Sequence, residues 1–345
     1  MYNKIIGVDL AKNIFHLHEV DNKTGEITKK KLSRKKFTLY MQEQEKCLVG
    51  VEACGGSNYW ARTLCAMGHM VKIIAPQFVK PYVTGNKNDT IDAAAIYEAL
   101  LRPSMKFVPI KTSEQQAIQM LHRVRSRLVK QRTALGNEIR GFLLEEGVTF
   151  PRGHSQIRNK LPDFLKEHPD KFTKDALEEF NDLHKEFLAL DKKIDSYEER
   201  LQKICATDLN CKRLLTIPGV GVITATAMVS AIGDISNFEN ARQLAAWLGL
   251  VPRQNSTGGR NILLGISKRG NKYLRQILVH GGRSMIRAGR VSEKKGSKLT
   301  GLQEWAVRKA DQKGYNKAAV SAANKMARVI WAVLSKRENY AAVRS

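Results

Sequence analysis

Two short apolar runs, each closed by a carboxylate, constrain the first part of this chain more than any other feature. KIIGVDL carries Asp9 at its end, and CLVGVE ends on Glu52. Runs of this length, rich in Val and Ile and bounded by turn residues, read as buried strands. A carboxylate at the end of such a strand sits at a core edge, where an unpaired charge is costly. Asp89 and Asp92 follow in KNDTIDA, three residues apart at a helix start. Carboxylates converging there from strand ends would repel each other by roughly 4 kcal/mol per pair at 4 Å, taking an effective dielectric of about 20. A hard divalent cation is the usual neutralising partner, and four acids can serve a two-ion site. Each acid alone also has a plainer reading, Asp89 as a helix N-cap and Asp92 as a first-turn acid favoured by the helix dipole.

Around these acids, residues 4–10, 13–20 and 26–33 read as three consecutive strands with a turn at 21–25. A short helix, a strand over 47–52, a helix over 59–67 and a strand over 70–75 ended by Pro76 come next. Helix resumes after Asp89, with Ile91, Ala94, Ala95 and Leu100 expected on its inner face. Strands first and then alternating strand and helix imply an α/β domain, residues 1–112, with a mixed sheet covered by helices.

From Ser113 the periodicity lengthens. Ile118, Leu121, Val124, Leu128, Leu135, Ile139 and Phe142 form one apolar stripe on an arginine-studded helix. Past a loop at 147–153, Phe180, Leu183, Phe187, Leu190, Ile194, Tyr197, Leu201 and Ile204 alternate by three and four. This coiled-coil seam can pair within the chain or between protomers, and it defines a helical connector over residues 113–206.

Residues 207–345 read as an all-α part. TIPGVG joins two apolar helical stretches in a helix-hairpin-helix pattern, where Gly219 and Gly221 would let backbone N–H groups approach a phosphate. A plain helical hairpin also favours glycine. The loop RQNSTGGRNILLGISKRG follows, with Ser256 beside Gly258 and Gly259, and with Arg253, Arg260, Lys268 and Arg269 as candidate phosphate clamps. No His–Asp pair accompanies Ser256, so a protease-type triad is unsupported.

The chain carries 58 Lys+Arg against 33 Asp+Glu, and residues 251–345 alone hold 21 against 4. That bias implies a polyanionic partner, with nucleic acid first and an anionic membrane surface second. No apolar stretch approaches the roughly 20 residues of a membrane span, and MYNKIIGVDL lacks the layout of a signal peptide. The five cysteines form no CxxC pair, which suits a reducing compartment. A cytoplasmic, nucleoid-associated protein is expected.

GVDLAK, VEACGG, KNDTIDA, TIPGVG, AWLGLVPRQNSTGG and ISKRGNKYLR, in this order along nearly the whole chain, resemble the DEDD-type insertion-sequence transposases of the IS110 family, and the GLVPRQNSTGG form resembles its IS1111 branch. The resemblance implies a RuvC-like domain of the ribonuclease H fold, a coiled-coil connector and a C-terminal transposase domain. It implies that Asp9, Glu52, Asp89 and Asp92 bind Mg²⁺ and that a serine attacks DNA to form a phosphoserine link. Ser256 matches that serine, with Thr257 as the adjacent alternative. It further implies a structured guide RNA and a homo-oligomer, dimer or tetramer. The reading is therefore an RNA-guided DNA recombinase. Its rivals are a DEDD nuclease or junction resolvase that cuts with water, and a non-catalytic nucleic-acid-binding scaffold.

Overall fold

The computed structural model describes residues 2–83, 89–257 and 260–341. They form two compact units, Met1–Gln115 and Gln116–Ser345.

In the first unit, β1 (Lys4–Leu10), β2 (Ile14–Asp21) and β3 (Ile27–Ser33) make an antiparallel meander. The β2–β3 reversal uses Gly25 at φ +74°, and the Asp21 carboxylate accepts from the backbone N–H groups of Lys23 and Thr24. After α1 (Arg34–Glu43), capped by Ser33, β4 (Leu48–Glu52) returns parallel to β1. The chain continues through α2 (Ser57–Ala66), β5 (Met70–Ile74), the short α3 (Pro76–Val79), α4 (Asp89–Leu100) and β6 (Phe107–Val108). The sheet order is β3-β2-β1-β4-β5-β6, with β1, β4 and β5 parallel and β6 antiparallel to β5. This mixed sheet is consistent with a ribonuclease H-like domain.

Each face of the sheet has its own core. Val8, Val51 and Phe15 pack with Phe37 of α1 and with Trp60 and Leu64 of α2. There the rings of Phe15, Phe37 and Trp60 meet edge to face at 4.9 to 5.1 Å, the arrangement their quadrupoles favour. The other face is covered by α4. Ala93, Ala95, Ile96, Ala99 and Leu100 are its buried residues, whereas Ile91 and Ala94 are half-buried. The inner face is thus rotated from the expected one, because α4 lies backbone to backbone on Gly7 and buries small side chains.

The second unit is helical apart from one hairpin. Most of α5 (Ser113–Glu145), α6 (His154–Glu167) and α7 (Lys174–Thr207) form one cluster. On α7, Phe180, Phe187, Ile194 and Leu201 recur every seven residues and are all buried. Phe180 and Phe187 meet Leu135, Ile139 and Leu143 of α5 and Ile157 and Leu161 of α6, so this half of the seam packs within its own chain. On α5 the expected stripe runs as far as Ile139. Leu143 then takes the inner position and Phe142 is turned out.

The remaining elements are α8 (Leu209–Leu215), α9 (Val222–Ile232), α10 (Ala241–Trp247), β7 (Pro252–Gln254), β8 (Leu263–Ile266), α11 (Lys272–Lys294), α12 (Gly301–Lys313) and α13 (Tyr315–Lys336). Small residues bring α11 and α13 together. A Cβ on Gly282 would lie 2.5 Å from the Ala319 carbonyl oxygen and 3.2 Å from the Ala322 Cβ. None of the helices among the described residues is long and apolar enough to cross a membrane.

Candidate catalytic and nucleic-acid-binding site

The pairing of β1 with β4 sets Val8 opposite Val51, so one step further Asp9 and Glu52 end neighbouring parallel strands. Side chains alternate along a strand, so Asp9 shares a face with Gly7, and Glu52 with Gly50. That is the α4 face. A Cβ on Gly7 would lie 2.7 Å from the Tyr97 backbone nitrogen, and one on Gly50 would meet Leu100 at 2.9 Å and Ile96 at 3.2 Å. Ile5, nearer the start of β1, packs with Ala99 and Leu100 near the end of α4. Helix and strand therefore run in opposite directions, and the first turn of α4, which holds Asp89 and Asp92, lies towards the strand ends carrying Asp9 and Glu52. Asp92 is half-buried, and the Asp89 side chain lies outside the described residues. Among the described residues, no group of three or more His, Cys, Asp or Glu side chains is gathered closely enough to hold a metal.

Ser256 belongs to the second unit. It is exposed and lies just past β7 in the β7–β8 hairpin, where sequence patterning alone reads a loop. The difference has a physical reason: Ile262, Leu263 and Leu264 are all exposed, so no buried alternation marks the second strand. The Ser256 Oγ accepts from Gln254 Nε2 at 2.9 Å and donates to Asn261 Oδ1 at 3.1 Å. Both partners are amides, which orient a hydroxyl but do not take its proton. Thr257 and Arg260 close the next bridge, while Gly258 and Gly259 lie outside the described residues.

The base of the hairpin is pinned. Ser267 N–H donates to the Val251 carbonyl and Lys268 N–H to that of Gly249, and the Arg275 guanidinium donates to the Leu248 carbonyl at 3.0 Å. Gly249 (φ +70°) faces the Arg269 backbone so closely that a Cβ would lie 2.7 Å from its nitrogen. Arg253, Arg260, Lys268 and Arg269 are all exposed, with Lys268 itself at φ +55°.

At the α8–α9 turn the two glycines differ. Gly219 (φ +85°) meets the α11 backbone at Gly281, a packing reason for glycine that needs no phosphate. Gly221 caps α9 at φ −103° with open space where a Cβ would lie.

Two residues escape sequence reasoning. Asp191 is buried on α7 and accepts from Arg132 Nη1 at 2.6 Å and Arg158 Nε at 2.7 Å. Burial pushes its carboxyl up, but the two guanidinium hydrogen bonds outweigh this and hold it below the ordinary carboxylate value. An acid inside the heptad seam beside arginine-bearing helices was its one signal. His122, buried on α5, bonds Thr226 Oγ1 and Tyr273 Oη, each at 3.0 Å, and no sequence signal marks those distant partners.

Comparison with known families decides the matter. A profile described as "Transposase IS116/IS110/IS902 family" matches residues 211–296, and an IS110-type DEDD transposase profile matches residues 6–147. The transposase for insertion sequence element IS1111A of Coxiella burnetii is 44% identical over 98% of this chain and 91% of its own length.

The chain belongs to the IS116/IS110/IS902 family of transposases.

A probable family 20 transposase of Pseudomonas aeruginosa is 43% identical over 97% of this chain and 98% of its own. The transposase for element IS1328 of Yersinia enterocolitica is 40% identical over 96% and 97%. This is an insertion-sequence transposase, an enzyme acting on DNA, and its two family profiles fall one on the carboxylate-bearing sheet and one on the glycine turn and Ser256 hairpin.

Proposed function

We propose that this transposase cuts and rejoins DNA through a covalent phosphoserine intermediate, with Asp9, Glu52, Asp89 and Asp92 as its metal-binding acids. The observation that carries the reading is the antiparallel run of α4 on β1, which directs the Asp89–Asp92 turn to the strand ends of Asp9 and Glu52. The donor set is all oxygen, which suits Mg²⁺. Bound there, Mg²⁺ would supply charge stabilisation for the phosphoryl group and lower the pKa of an attacking hydroxyl.

In this reading Ser256 Oγ attacks phosphorus, an Oγ–P bond forms, and the P–O3′ bond breaks, with the proton released to a base and the 3′ oxygen reprotonated as it leaves. Gln254 and Asn261 orient Oγ, and Arg253, Arg260, Lys268 and Arg269, with Gly258 and Gly259, hold the phosphodiester. Gly219 and Gly221 present the α9 end to a further phosphate. Residues 1–112, 113–206 and 207–345 act as catalytic domain, coiled-coil connector and transposase domain. A structured guide RNA and a homo-oligomer are the proposed partners, in the cytoplasm at the nucleoid. The IS110-type match and the basic C-terminus support this part of the reading.

The amide-only surroundings of Ser256 favour one rival specifically, a nuclease in which water attacks instead. Incubation with nicked substrate and Mg²⁺ followed by a denaturing gel separates the two. A protein–DNA adduct lost in Ser256→Ala and retained in Thr257→Ala is expected; strand cleavage that survives Ser256→Ala without any adduct selects the nuclease. Sequencing of RNA that co-purifies with the protein tests the guide, for which an element-derived transcript is expected.

A further inference from the structure

Helices α5, α9 and α11 enclose a groove of about 480 Å³ in the second unit, away from the Ser256 hairpin in sequence and made from other residues. Its walls are tied by internal hydrogen bonds. Gln119 Nε2 donates to the Ser230 carbonyl at 2.8 Å, joining α5 to α9. His122 then links Thr226 of α9 to Tyr273 of α11. The proton order follows from the outer end. Thr226 Oγ1 donates to the Val222 carbonyl at 2.7 Å, so it accepts from His122 Nε2–H, and Tyr273 O–H donates to Nδ1. Burial and the nearby Arg125 charge push the His122 ring down to about 4, so it serves here as a neutral brace.

Four of the five arginines of α5, with Lys130, divide into two sets, while the fifth, Arg140, donates to the Gly136, Pro151 and Gly153 carbonyls. Those turned to α7 are neutralised, Arg125 by Glu198 and Arg132 by Asp191. Arg123, Arg127 and Lys130 instead line the groove and are exposed, and among the described residues none of them is paired with a carboxylate. Arg127 is steadied by Gln131 at 2.8 Å. Spacings of four and three residues put the three cations on one helix face over about 10 Å. That is close to the rise of three nucleotides at about 3.4 Å each. Among the described residues, no acid lines the groove. A merely solvated basic face would not need a concave floor braced by buried hydrogen bonds.

We propose that this groove grips the phosphodiester backbone of a nucleic-acid strand through Arg123, Arg127 and Lys130, as a binding site separate from the Ser256 hairpin and the DEDD acids. The inference deepens the reading of the chain as a nucleic-acid enzyme, but it requires no chemistry and no phosphoserine.

The test is fluorescence anisotropy of full-length protein with labelled single-stranded DNA, single-stranded RNA and duplex DNA at salt concentrations from about 50 to about 200 mM. The variant Arg123→Gln/Arg127→Gln/Lys130→Gln is compared with Lys192→Gln/Lys193→Gln/Lys203→Gln, an equal charge change on exposed positions of α7. The groove variant should bind at least one probe about tenfold more weakly at low salt, with its log K against log salt slope shallower by about 2, since each phosphate left without its cation removes about 0.7 from the slope. The α7 variant should change little. Loss confined to DNA or to RNA identifies the strand held. Equal affinities of the two variants for all three probes overturn the proposal. Should the groove variant melt early, Arg127→Cys carrying a photo-crosslinker replaces it: a nucleic-acid adduct is expected, and its absence overturns the proposal. Anisotropy reads binding and the denaturing gel reads the covalent adduct, so failure of the phosphoserine reading and failure of this one are told apart.

Discussion

Gly219 and Gly281 meet backbone to backbone. A Cβ on Gly219 would stand 2.6 Å from the Gly281 carbonyl oxygen, and a Cβ on Gly281 would strike the Gly219 carbonyl oxygen in turn. Gly219 also holds φ +85°, which side chains rarely adopt. The first glycine of the GVG turn therefore locks α11 against the α8–α9 hairpin, whatever the turn binds.

Alanine should then separate the two glycines. Gly219→Ala combines left-handed strain with a backbone clash that cannot relax by rotating a side chain, and should cost about 2–4 kcal/mol. Gly221→Ala, at an ordinary φ with open space around it, should change stability by less than about 1 kcal/mol. Urea denaturation reads both. Weakened DNA binding by folded Gly221→Ala would assign the phosphate contact to this glycine; unchanged binding would leave the turn a packing device.

How legible the molecule is from sequence depends on the range of the interactions involved. The strands ending in Asp9 and Glu52 are readable because local alternation and the turn at Gly25 set them, and the acids stand out as charges closing apolar runs. Helix α6 is hidden because Pro162 lies inside it, although Ile157, Leu161 and Leu165 bury one face. The β7–β8 hairpin is hidden because its apolar residues point to solvent. The neighbours of Ser256 are two and five residues away, whereas His122 and Tyr273 are 151 apart and become partners only when α5 and α11 pack. The Gly219–Gly281 contact is tertiary too, so its glycine reads equally as a phosphate site.

Removing Asp191 should destabilise the α5–α6–α7 cluster. Asp191→Ala leaves the Arg132 side chain, 17% exposed, without its counter-charge, while Arg158, 44% exposed, keeps much of its hydration. The expected loss is about 3 kcal/mol, the lower end for breaking a buried pair. Because the Asp191 carboxyl is held below 3.8, its contribution is present above that pH and lost as the pH falls beneath it. Denaturant midpoints of wild type and variant at neutral pH check the first statement. Their convergence in acid checks the second.

His122 predicts a pH dependence at milder acidity. The unfolded imidazole titrates near 6.5 and the native one near 4. Between these values the unfolded chain takes up a proton that the native state refuses, so stability falls as the pH drops from 6.5 towards 4, by about 3 kcal/mol in all. His122→Gln keeps a polar group against Thr226 but cannot titrate. The variant should be less stable at pH 7, yet between pH 7 and pH 5 it should lose about 2 kcal/mol less than the wild type. Equal losses would mean that the native His122 ring takes up its proton as readily as the unfolded one.

Gly7 and Gly50 seat α4 on the sheet in different ways. A Cβ on Gly7 would press on the backbone of α4, 2.7 Å from the Tyr97 nitrogen, so the helix itself must move. A Cβ on Gly50 would meet the Leu100 Cδ2 at 2.9 Å and the Ile96 Cγ2 at 3.2 Å, both ends of side chains that can adjust. Gly7→Ala should therefore cost about 2–3 kcal/mol, and Gly50→Ala about 1 kcal/mol. If the turn of Asp89 and Asp92 works with Asp9 and Glu52, the displacement has a functional reading as well. Folded Gly7→Ala should cleave DNA far more slowly than Gly50→Ala, while both bind DNA like the wild type. Circular dichroism melting, filter binding and a strand-cleavage assay on the same preparations give the three readouts. Full cleavage by a stable Gly7→Ala protein would show that the seating of α4 on β1 does not set the acid site.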